Sequence, residues 1–358
     1  MLRKTEVDPL THRPAYLLLL RRRRKKKKKK QIIRRVRVAM EVERKRVCVT
    51  GAGGFVASWV VKFLLSKGYV VHGTVRDPRD EKYAHLNKLE RASDNLKLFK
   101  ADLSDYGSLR SAIEGCAGVL HVACPVPSSS VPNPEVDVVE PAVNGTLNVL
   151  KACSEAKVKR VIYVSSVAAV TMNPNWPKEQ VMDETCWSDK EYCKITDNWY
   201  CFSKTEAESA ASDYARQNGL DVVAVCPGLI LGPVLQPTLN ASTLVLVKFT
   251  RGSEDSVPDR LRYVVDVRDV AEAVIMAYEK SKAEGRYICI AHSIKTRDLA
   301  EKLYGLYPDL TCSKNYIETQ HNNKLSSERL LKLEWTYRPL EETLVDSIES
   351  YRAAGLLK

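Results

Sequence analysis

Short apolar runs alternate along the chain with longer segments of helical periodicity. Arg46–Thr50, Tyr69–Val75, Leu96–Lys100, Val119–Ala123, Val161–Val164 and Leu220–Cys226 are rich in Val, Ile, Leu and other apolar residues. Continuous apolar runs of this length predict strands buried on both faces. Between them the pattern predicts helices at Phe55–Lys67, closed by Gly68 at a C′ position, and at Asp197–Asn218, closed by Gly219. Pro134–Ala156 is also predicted helical, because Val139, Val143, Leu147 and Leu150 recur at helical spacing. Strand and helix in alternation predict an α/β fold: a doubly wound, Rossmann-type parallel sheet with helices on both faces.

The second half is less regular. Pro-rich and Gly-rich joints fall at Pro227-Gly228, Gly232-Pro233 and Pro237. They are followed by a predicted strand at Arg262–Val265, a helix at Asp269–Glu279 and a strand at Arg286–Ile290, then helices near Arg297–Leu306 and Leu340–Ala354. The irregular pieces, roughly residues 171–196, 228–262 and 293–338, are expected to gather as a small lobe. Its place is over the carboxyl ends of the strands, where open α/β sheets bind ligands.

Charge changes this picture only at one end. The chain of 358 residues has a net charge of +12, but residues 1–39 carry 16 Lys or Arg against 2 acids. Residues 40–358 are left with 40 basic and 42 acidic side chains. A basic nucleic-acid-binding face on the folded body is therefore excluded as the source of the charge, and a nucleic-acid partner is not expected. Residues 21–30 are ten consecutive basic residues, a block that repels itself and stays solvated. The apolar Tyr16–Leu20 precedes this block, whereas a signal peptide puts its positive residues first. We read residues 1–45 as a disordered basic tail, with Met40 a natural start for the folded body. No apolar run approaches the ~18 residues of a membrane span, so a cytoplasmic protein without a membrane partner is expected.

The ten cysteines are scattered from Cys48 to Cys312 without a C-x-x-C pair, and the six histidines are equally dispersed. Metal sites need clustered ligands, so no metal is expected, and free thiols imply a reducing compartment. Cys186 and Cys193 flank an acidic loop; two ordinary thiols are the favoured reading, and a redox pair the alternative.

Val47–Thr50 runs into Gly51-Ala52-Gly53-Gly54-Phe55-Val56-Ala57. This is G-x-x-G-x-x-A between a predicted strand and a predicted helix, the context that a dinucleotide-binding loop requires. Gly51 permits the tight turn, Gly54 lets backbone approach a pyrophosphate, and the helix start at Phe55 and Val56 offers free N–H groups and positive dipole to phosphate. An acid at the tip of the second strand would bind a ribose 2′-OH. Here Arg76 stands at the tip with Lys82 close behind, which suits a 2′-phosphate and therefore NADP(H). Asp77 precedes Pro78 and is expected to turn the loop. Asp102 and Leu103, after the third strand, are in place for the adenine, with an Asx-turn or helix cap the alternative for Asp102. His121 is expected to be a satisfied core residue.

Tyr200 and Lys204 are four residues apart on one face of a long helix, and Ser165-Ser166 follow the fifth strand. Parallel topology brings both to the edge that carries the glycine loop. Hydride reduction of a carbonyl develops oxyanion charge, and a phenol can donate the proton. An unperturbed phenol titrates near ~10, and a neighbouring ammonium favours its ionised form. A serine hydroxyl can polarise the same carbonyl oxygen.

At this point the chain resembles the extended short-chain dehydrogenase/reductases, and within them the plant cinnamoyl-CoA reductase and dihydroflavonol 4-reductase group. The matching stretches are VTGAGGFVASW, GTVRDP, KADLSD, HVACPV, EPAVNGTLNVL, YVSSVAAV, DETCWSD, NWYCFSKTEAE, PGLILGP, VDVRDVAEA and EGRYIC. NWYC and PTLNAS lean toward the cinnamoyl-CoA reductase side. Those enzymes continue as NWYCYGK where this chain has Phe202 and Ser203, beside the expected reacting carbon. The resemblance implies a catalytic set of Ser166, Tyr200 and Lys204. It also implies cofactor contacts from Arg76, Lys82, Asp102, Leu103, Val122, Ala123, Cys124, Pro227, Gly228, Leu229, Ile230 and Ser242, besides Tyr200 and Lys204. Many extended relatives place an Asn where this chain has Ala142, so no fourth catalytic Asn is assigned, and Asn144 is read as structural.

The sequence thus predicts an NADP-binding domain at 46–227, to which 262–292 return, and a substrate lobe with C-terminal helices over most of 228–358. The expected activity is NADPH-dependent reduction of an aromatic phenylpropanoid aldehyde or CoA thioester by a monomer. A dihydroflavonol-type ketone reductase, a nucleotide-sugar epimerase or dehydratase, and a non-enzymatic NADP-sensing module remain the alternatives.

Overall fold

The strands are β1 (Arg46–Thr50), β2 (Val70–Val75), β3 (Leu96–Lys100), β4 (Gly118–His121), β5 (Arg160–Val164), β6 (Val222–Pro227), β7 (Leu229–Leu231), β8 (Val257–Asp259), β9 (Leu261–Asp266), β10 (Gly285–Cys289), β11 (His292–Lys295) and β12 (Tyr316–Glu318). Helices of six or more residues are α1 (Phe55–Ser66), α2 (Tyr106–Ile113), α3 (Glu140–Glu155), α4 (Lys190–Ile195), α5 (Trp199–Asn218), α6 (Ala241–Arg251), α7 (Val267–Glu279), α8 (Thr296–Leu306) and α9 (Leu340–Ala353). The computed structural model describes residues 46–124, 132–177, 179–251, 256–311, 315–319 and 323–357. The basic tail, Cys312 and His321 lie outside these residues.

A seven-stranded sheet runs in the order β10-β6-β5-β4-β1-β2-β3, with every pairing parallel. Alternation along β1 explains how both faces are covered. Val47 and Val49 join Val60, Leu64, Val270 and Val274 beneath α1 and α7. Cys48, between them, joins Leu109, Ile113, Val149 and Leu150 beneath α2 and α3. Gly68 (φ 78°) and Gly219 (φ 62°) follow α1 and α5 in the left-handed region, as the predicted helix ends require.

The chain moves outward from β1 to β2 and β3, then crosses back to β4 on the other side of β1. That reversal opens a crevice at the carboxyl ends of β1 and β4, where doubly wound sheets bind nucleotides. A second layer holds the small sheet β11-β9-β7, in which β7 and β9 are parallel and β11 is antiparallel, and the pair β12-β8. Leu246, Leu303, Leu344 and Ile348 of α6, α8 and α9 pack together there.

Two expectations change. The strand near 262–265 does not return to the main sheet; β9 pairs with β7 and β11, while α7 and β10 do return. The helix expected from Pro134 begins as a wider turn at Glu135–Val139 before α3 proper. The short elements α2, α4, β7, β8, β11 and β12 carry too few residues to express a period. The 11-residue α6 is a Leu- and Val-rich run that reads as well for a buried strand as for a helix.

Gly228 joins β6 to β7 where the main sheet hands the chain to the small one. A Cβ there would lie 2.1 Å from the Tyr263 carbonyl oxygen, a backbone atom of β9 that cannot swing aside. Gly228→Ala should lose about 1–3 kcal/mol of stability by overpacking, read as a lower melting temperature. An unchanged melt would mean that the joint is looser than this contact.

Candidate active site

The glycine loop sits in the crevice between β1 and β4. Gly51 has φ 64°, and a Cβ on it would stand 3.0 Å from the Ala123 Cβ, so a side chain is opposed by both backbone and space. Gly53 is constrained by space alone, since its Cβ would lie 2.2 Å from the Tyr83 ring. Gly54 opens α1 with no side-chain cap, and the first turn carries no acid. The N–H groups of Phe55 and Val56, in the first turn, have no intrahelical acceptor and lie at the positive end of the helix dipole. The Thr50 hydroxyl ties the loop to the β4 tip by accepting the Val122 N–H at 3.1 Å and the Ala123 N–H at 3.0 Å.

The charges after β2 sort themselves locally. Asp77 accepts the Arg79 N–H at 3.1 Å and its side chain at 3.4 Å, and these bonds hold its carboxyl below the usual range. It turns the loop, as expected, and is not left to a ribose. Lys82, expected to face phosphate, pairs with Asp80 and lies over the Tyr83 ring. Arg76 remains as the exposed guanidinium at the strand tip. After β3, Asp102 Oδ1 accepts the Ser104 N–H at 2.9 Å and its hydroxyl at 2.7 Å. This is the Asx-turn alternative for that oxygen. Leu103 packs against Gly145 of α3, and its carbonyl accepts from Asn148 at 2.9 Å.

Ser166 follows β5, Lys204 of α5 reaches the same strand end, and Tyr200 lies one helical turn before Lys204. The two adjacent serines separate cleanly. Ser165 is buried and donates to Glu208 at 2.5 Å, whereas Ser166 is half-buried and accepts only the Ala168 N–H at 3.1 Å. Its O–H is left to donate to a ligand. The Lys204 side chain is 4% exposed, and Nζ reaches the Val164 carbonyl at 3.5 Å. Burial works against its charge, but Cys124 and the phenols of Tyr200 and Tyr163 outweigh it, and the ammonium is held more firmly than in water. Tyr200 keeps 39% of its surface exposed, open to a substrate. Ala142 is buried on α3 and offers no polar group. Pro227 ends β6, Leu229 and Ile230 lie on β7, and Ser242 is half-buried in the first turn of α6.

His121 departs from the expectation of a satisfied core residue. The Thr50 hydroxyl, already accepting two N–H groups, gives its own hydrogen to His121 Nδ1 at 2.8 Å. The imidazole proton is then on Nε2, which is buried without a hydrogen-bond partner among the described residues. Burial and the Lys204 charge push this histidine down to about 3, so it is neutral at physiological pH.

Two further groups were not singled out by sequence. Glu208, one helical turn beyond Lys204, is 0% exposed and forms an ion pair with Arg286 of β10, itself 8% exposed, at 2.5 Å. Removing one member of such a buried pair costs about 3–5 kcal/mol, because the other is left as an unpaired charge. A mid-helix Glu ordinarily reads as a solvated side chain, so no local signal betrays it. The cysteines also regroup. Cys193 shares an apolar cluster with Cys201, whereas Cys186 lies in another cluster and donates to the Val170 carbonyl at 3.3 Å. Cys186 and Cys193 are therefore not neighbours in one cluster.

Comparison with known proteins agrees with this geometry. Residues 47–291 match the NAD dependent epimerase/dehydratase family. The chain is 46% identical over 315 residues to a cinnamoyl-CoA reductase of Petunia hybrida, covering 87% of this chain and 93% of that one. It is 39% identical over 325 residues to a tetraketide alpha-pyrone reductase of Arabidopsis thaliana, covering 89% and 98%. Among solved structures, vestitone reductase from alfalfa superposes with a TM-score of 0.76 at 34% identity, covering 87% of this chain and 99% of that one. Yeast methylglyoxal/isovaleraldehyde reductase, solved with NADPH, does so with a TM-score of 0.76 at 27% identity, covering 87% and 100%. The chain belongs to the NAD dependent epimerase/dehydratase family, the extended short-chain dehydrogenase/reductases.

Proposed function

We propose that the protein is an NADPH-dependent reductase of aromatic phenylpropanoid carbonyl compounds. The observation that carries this reading is the convergence of Ser166, Tyr200 and buried Lys204 on the sheet edge that also carries the uncapped α1 N-terminus. The relatives named as cinnamoyl-CoA reductases, at 39–46% identity, support the aromatic substrate class. Among the described residues no helix is long and apolar enough to cross a membrane, and we take the working form to be a cytoplasmic monomer.

The site fits NADPH on its own observations: a left-handed Gly51 pressed on Ala123, free N–H groups at Phe55 and Val56, and an exposed Arg76. Gly51 to Val56 would hold the pyrophosphate, and Arg76 the 2′-phosphate. Bound NADPH would supply a hydride to the carbonyl carbon. Ser166 donates its free O–H to the carbonyl oxygen and fixes its position. Tyr200 delivers the proton to the same oxygen, and the Lys204 ammonium stabilises the phenolate left behind. With His121 neutral, Lys204 is the cation beneath the phenol.

The substrate reading shifts in its basis. Phe202 and Ser203 do not line the reacting centre. Phe202 is buried against Trp199 with ring centroids 5.8 Å apart, and buried Ser203 donates to the Tyr200 carbonyl at 2.9 Å. Both act on the packing of α5. The lobe's cations bear more directly on substrate size, because a CoA arm carries phosphates that need them. Lys295 and Arg297 face Asp259 at 3.8 and 3.9 Å, and Arg262 lies over Phe249. Lys248 and Arg260 are exposed. We propose an aldehyde over a thioester on the ground that Lys295 and Arg297 are turned toward Asp259.

Tyr200→Phe should abolish turnover while NADPH binding stays nearly intact, since the ring still packs and only the proton donor is lost. Lys204→Met should harm both. A Phe variant with near-normal kcat would remove Tyr200 from the mechanism.

Arg76→Asp should raise KM for NADPH roughly ten- to hundredfold, the loss of one charge-assisted bond of ~1.5–3 kcal/mol, with NADH affected far less. Equal effects on the two cofactors would sink the assignment of Arg76.

At fixed NADPH, kcat/KM for coniferaldehyde should exceed that for feruloyl-CoA. A value tenfold higher for feruloyl-CoA, about 1.4 kcal/mol of transition-state preference, would reverse the substrate assignment.

A further inference from the structure

Behind the reacting groups, Arg286 is hydrogen-bonded to saturation. A guanidinium has five N–H donors in a fixed fork, and here each has an acceptor. Nε donates to Glu208 Oε1 at 2.5 Å, and Nη1 donates to the carbonyls of Glu184 at 3.0 Å and Cys186 at 2.8 Å. Nη2 donates to the Ala169 carbonyl at 3.4 Å and Glu208 Oε2 at 3.5 Å. The guanidinium lies 3.6 Å from the centre of the Trp187 ring. One side chain from β10 thus holds the helix that carries Tyr200 and Lys204, the turn that follows Ser166, and the loop at 184–187.

Glu208 completes the link. It lies four residues beyond Lys204 and eight beyond Tyr200 on α5, so the three share one face. Its Oε2 also accepts the Ser165 hydroxyl at 2.5 Å. Ser165 is the neighbour of Ser166, and successive side chains at a strand end point opposite ways. Anchoring Ser165 inward fixes Ser166 outward. The Ala169 carbonyl held by Arg286 belongs to the turn whose Ala168 N–H caps the Ser166 oxygen and whose Ala169 N–H bonds the Ser166 carbonyl at 3.0 Å. The Ser166 hydroxyl is therefore registered against Tyr200 and Lys204 from both sides of its own peptide.

We propose that Arg286 and Glu208 are positioning residues for the reaction: the buried pair sets the Ser166 hydroxyl against the Tyr200–Lys204 helix, so that both donors meet one carbonyl oxygen. The inference rests on the reductase reading above. The pair touches neither substrate nor cofactor and acts through Ser165 and α5.

Two variants separate positioning from plain stability. Ser165→Ala removes one hydroxyl and leaves the ion pair in place. The double variant Glu208→Leu/Arg286→Met replaces the pair by apolar side chains, an exchange that buried pairs often tolerate without loss of stability. The cavity of about 220 Å³ that both residues line with Tyr163 and Ala211 leaves room for the new side chains. Each is compared with the wild type for kcat and KM on coniferaldehyde, NADPH Kd by fluorescence, and melting temperature. The expected result is a kcat lowered tenfold or more in both variants, about 1.4 kcal/mol, with NADPH Kd within twofold and the melt within a few degrees. A kcat within twofold of wild type in Ser165→Ala and in the folded double variant would overturn the proposal. If the double variant does not fold, Ser165→Ala decides alone on the same criterion. Absence of NADPH-dependent turnover by the wild type would sink the reductase reading, and this inference with it. Normal wild-type turnover with unaltered variants sinks the inference only.

Discussion

Seven parallel strands present all their carboxyl ends on one edge of the sheet, and this constraint organises the rest of the molecule. The reversal between β1 and β4 opens that edge at the glycine loop. The same edge receives Ser166 from β5, because β5 lies beside β4. The next long helix, α5, brings Lys204 to the Val164 carbonyl at the tip of β5. Groups more than a hundred residues apart in sequence thus meet without any long loop having to reach inward. The small sheet of β7, β9 and β11 grows from the same edge, since β7 follows β6 after a single residue, Gly228.

Placing chemistry there obliges the fold to bury charge. Lys204, Glu208 and Arg286 lie within one region of the interior, and each must be compensated. The solutions differ with the task. Glu208 and Arg286 neutralise one another and spend their hydrogen bonds on backbone carbonyls, Ser165 and the Cys226 thiol, which makes them rigid. Lys204 has one long bond to a backbone carbonyl and otherwise faces Cys124 and two phenols. Cys124 is the first of these partners, followed by the phenols of Tyr200 and Tyr163. His121, one strand away, cannot compete for that charge, because burial beside Lys204 keeps it neutral.

The sheet, its helices, the glycine loop and the Tyr200–Lys204 spacing were legible because each rests on local pattern: apolar runs, an i,i+4 pair and a glycine loop in strand–helix context. What escaped the sequence depends on partners distant along the chain. Glu208 is an ordinary helix residue until Arg286, 78 positions later, meets it. The outward role of Ser166 over Ser165 is decided by that same carboxylate; from the residues alone both serines stood open. Gly53 reads as a spare glycine until the Tyr83 ring closes on it. Phe202 and Ser203, read beside the reacting carbon, are buried, Phe202 against the Trp199 ring and Ser203 bonded back to the Tyr200 carbonyl.

The tip of β2 obeys the same logic on a smaller scale. Arg76, Asp77, Arg79, Asp80, Glu81 and Lys82 crowd the tip of β2, where Arg76 reads for a 2′-phosphate. Short-range geometry divides them. An Asx-type turn consumes Asp77 with Arg79, and the cap of a short helical turn consumes Asp80 with Lys82. Each pairing removes one acid and one base, which leaves exposed Arg76 at the strand tip and exposed Glu81 five residues on. An acid must stay free to accept from a ribose hydroxyl, and Asp77 and Asp80 are held by local N–H groups that a ligand would have to displace. The exposed guanidinium of Arg76 at the strand tip has a fork that matches phosphate oxygens, and that match is the basis on which it is proposed to hold the 2′-phosphate.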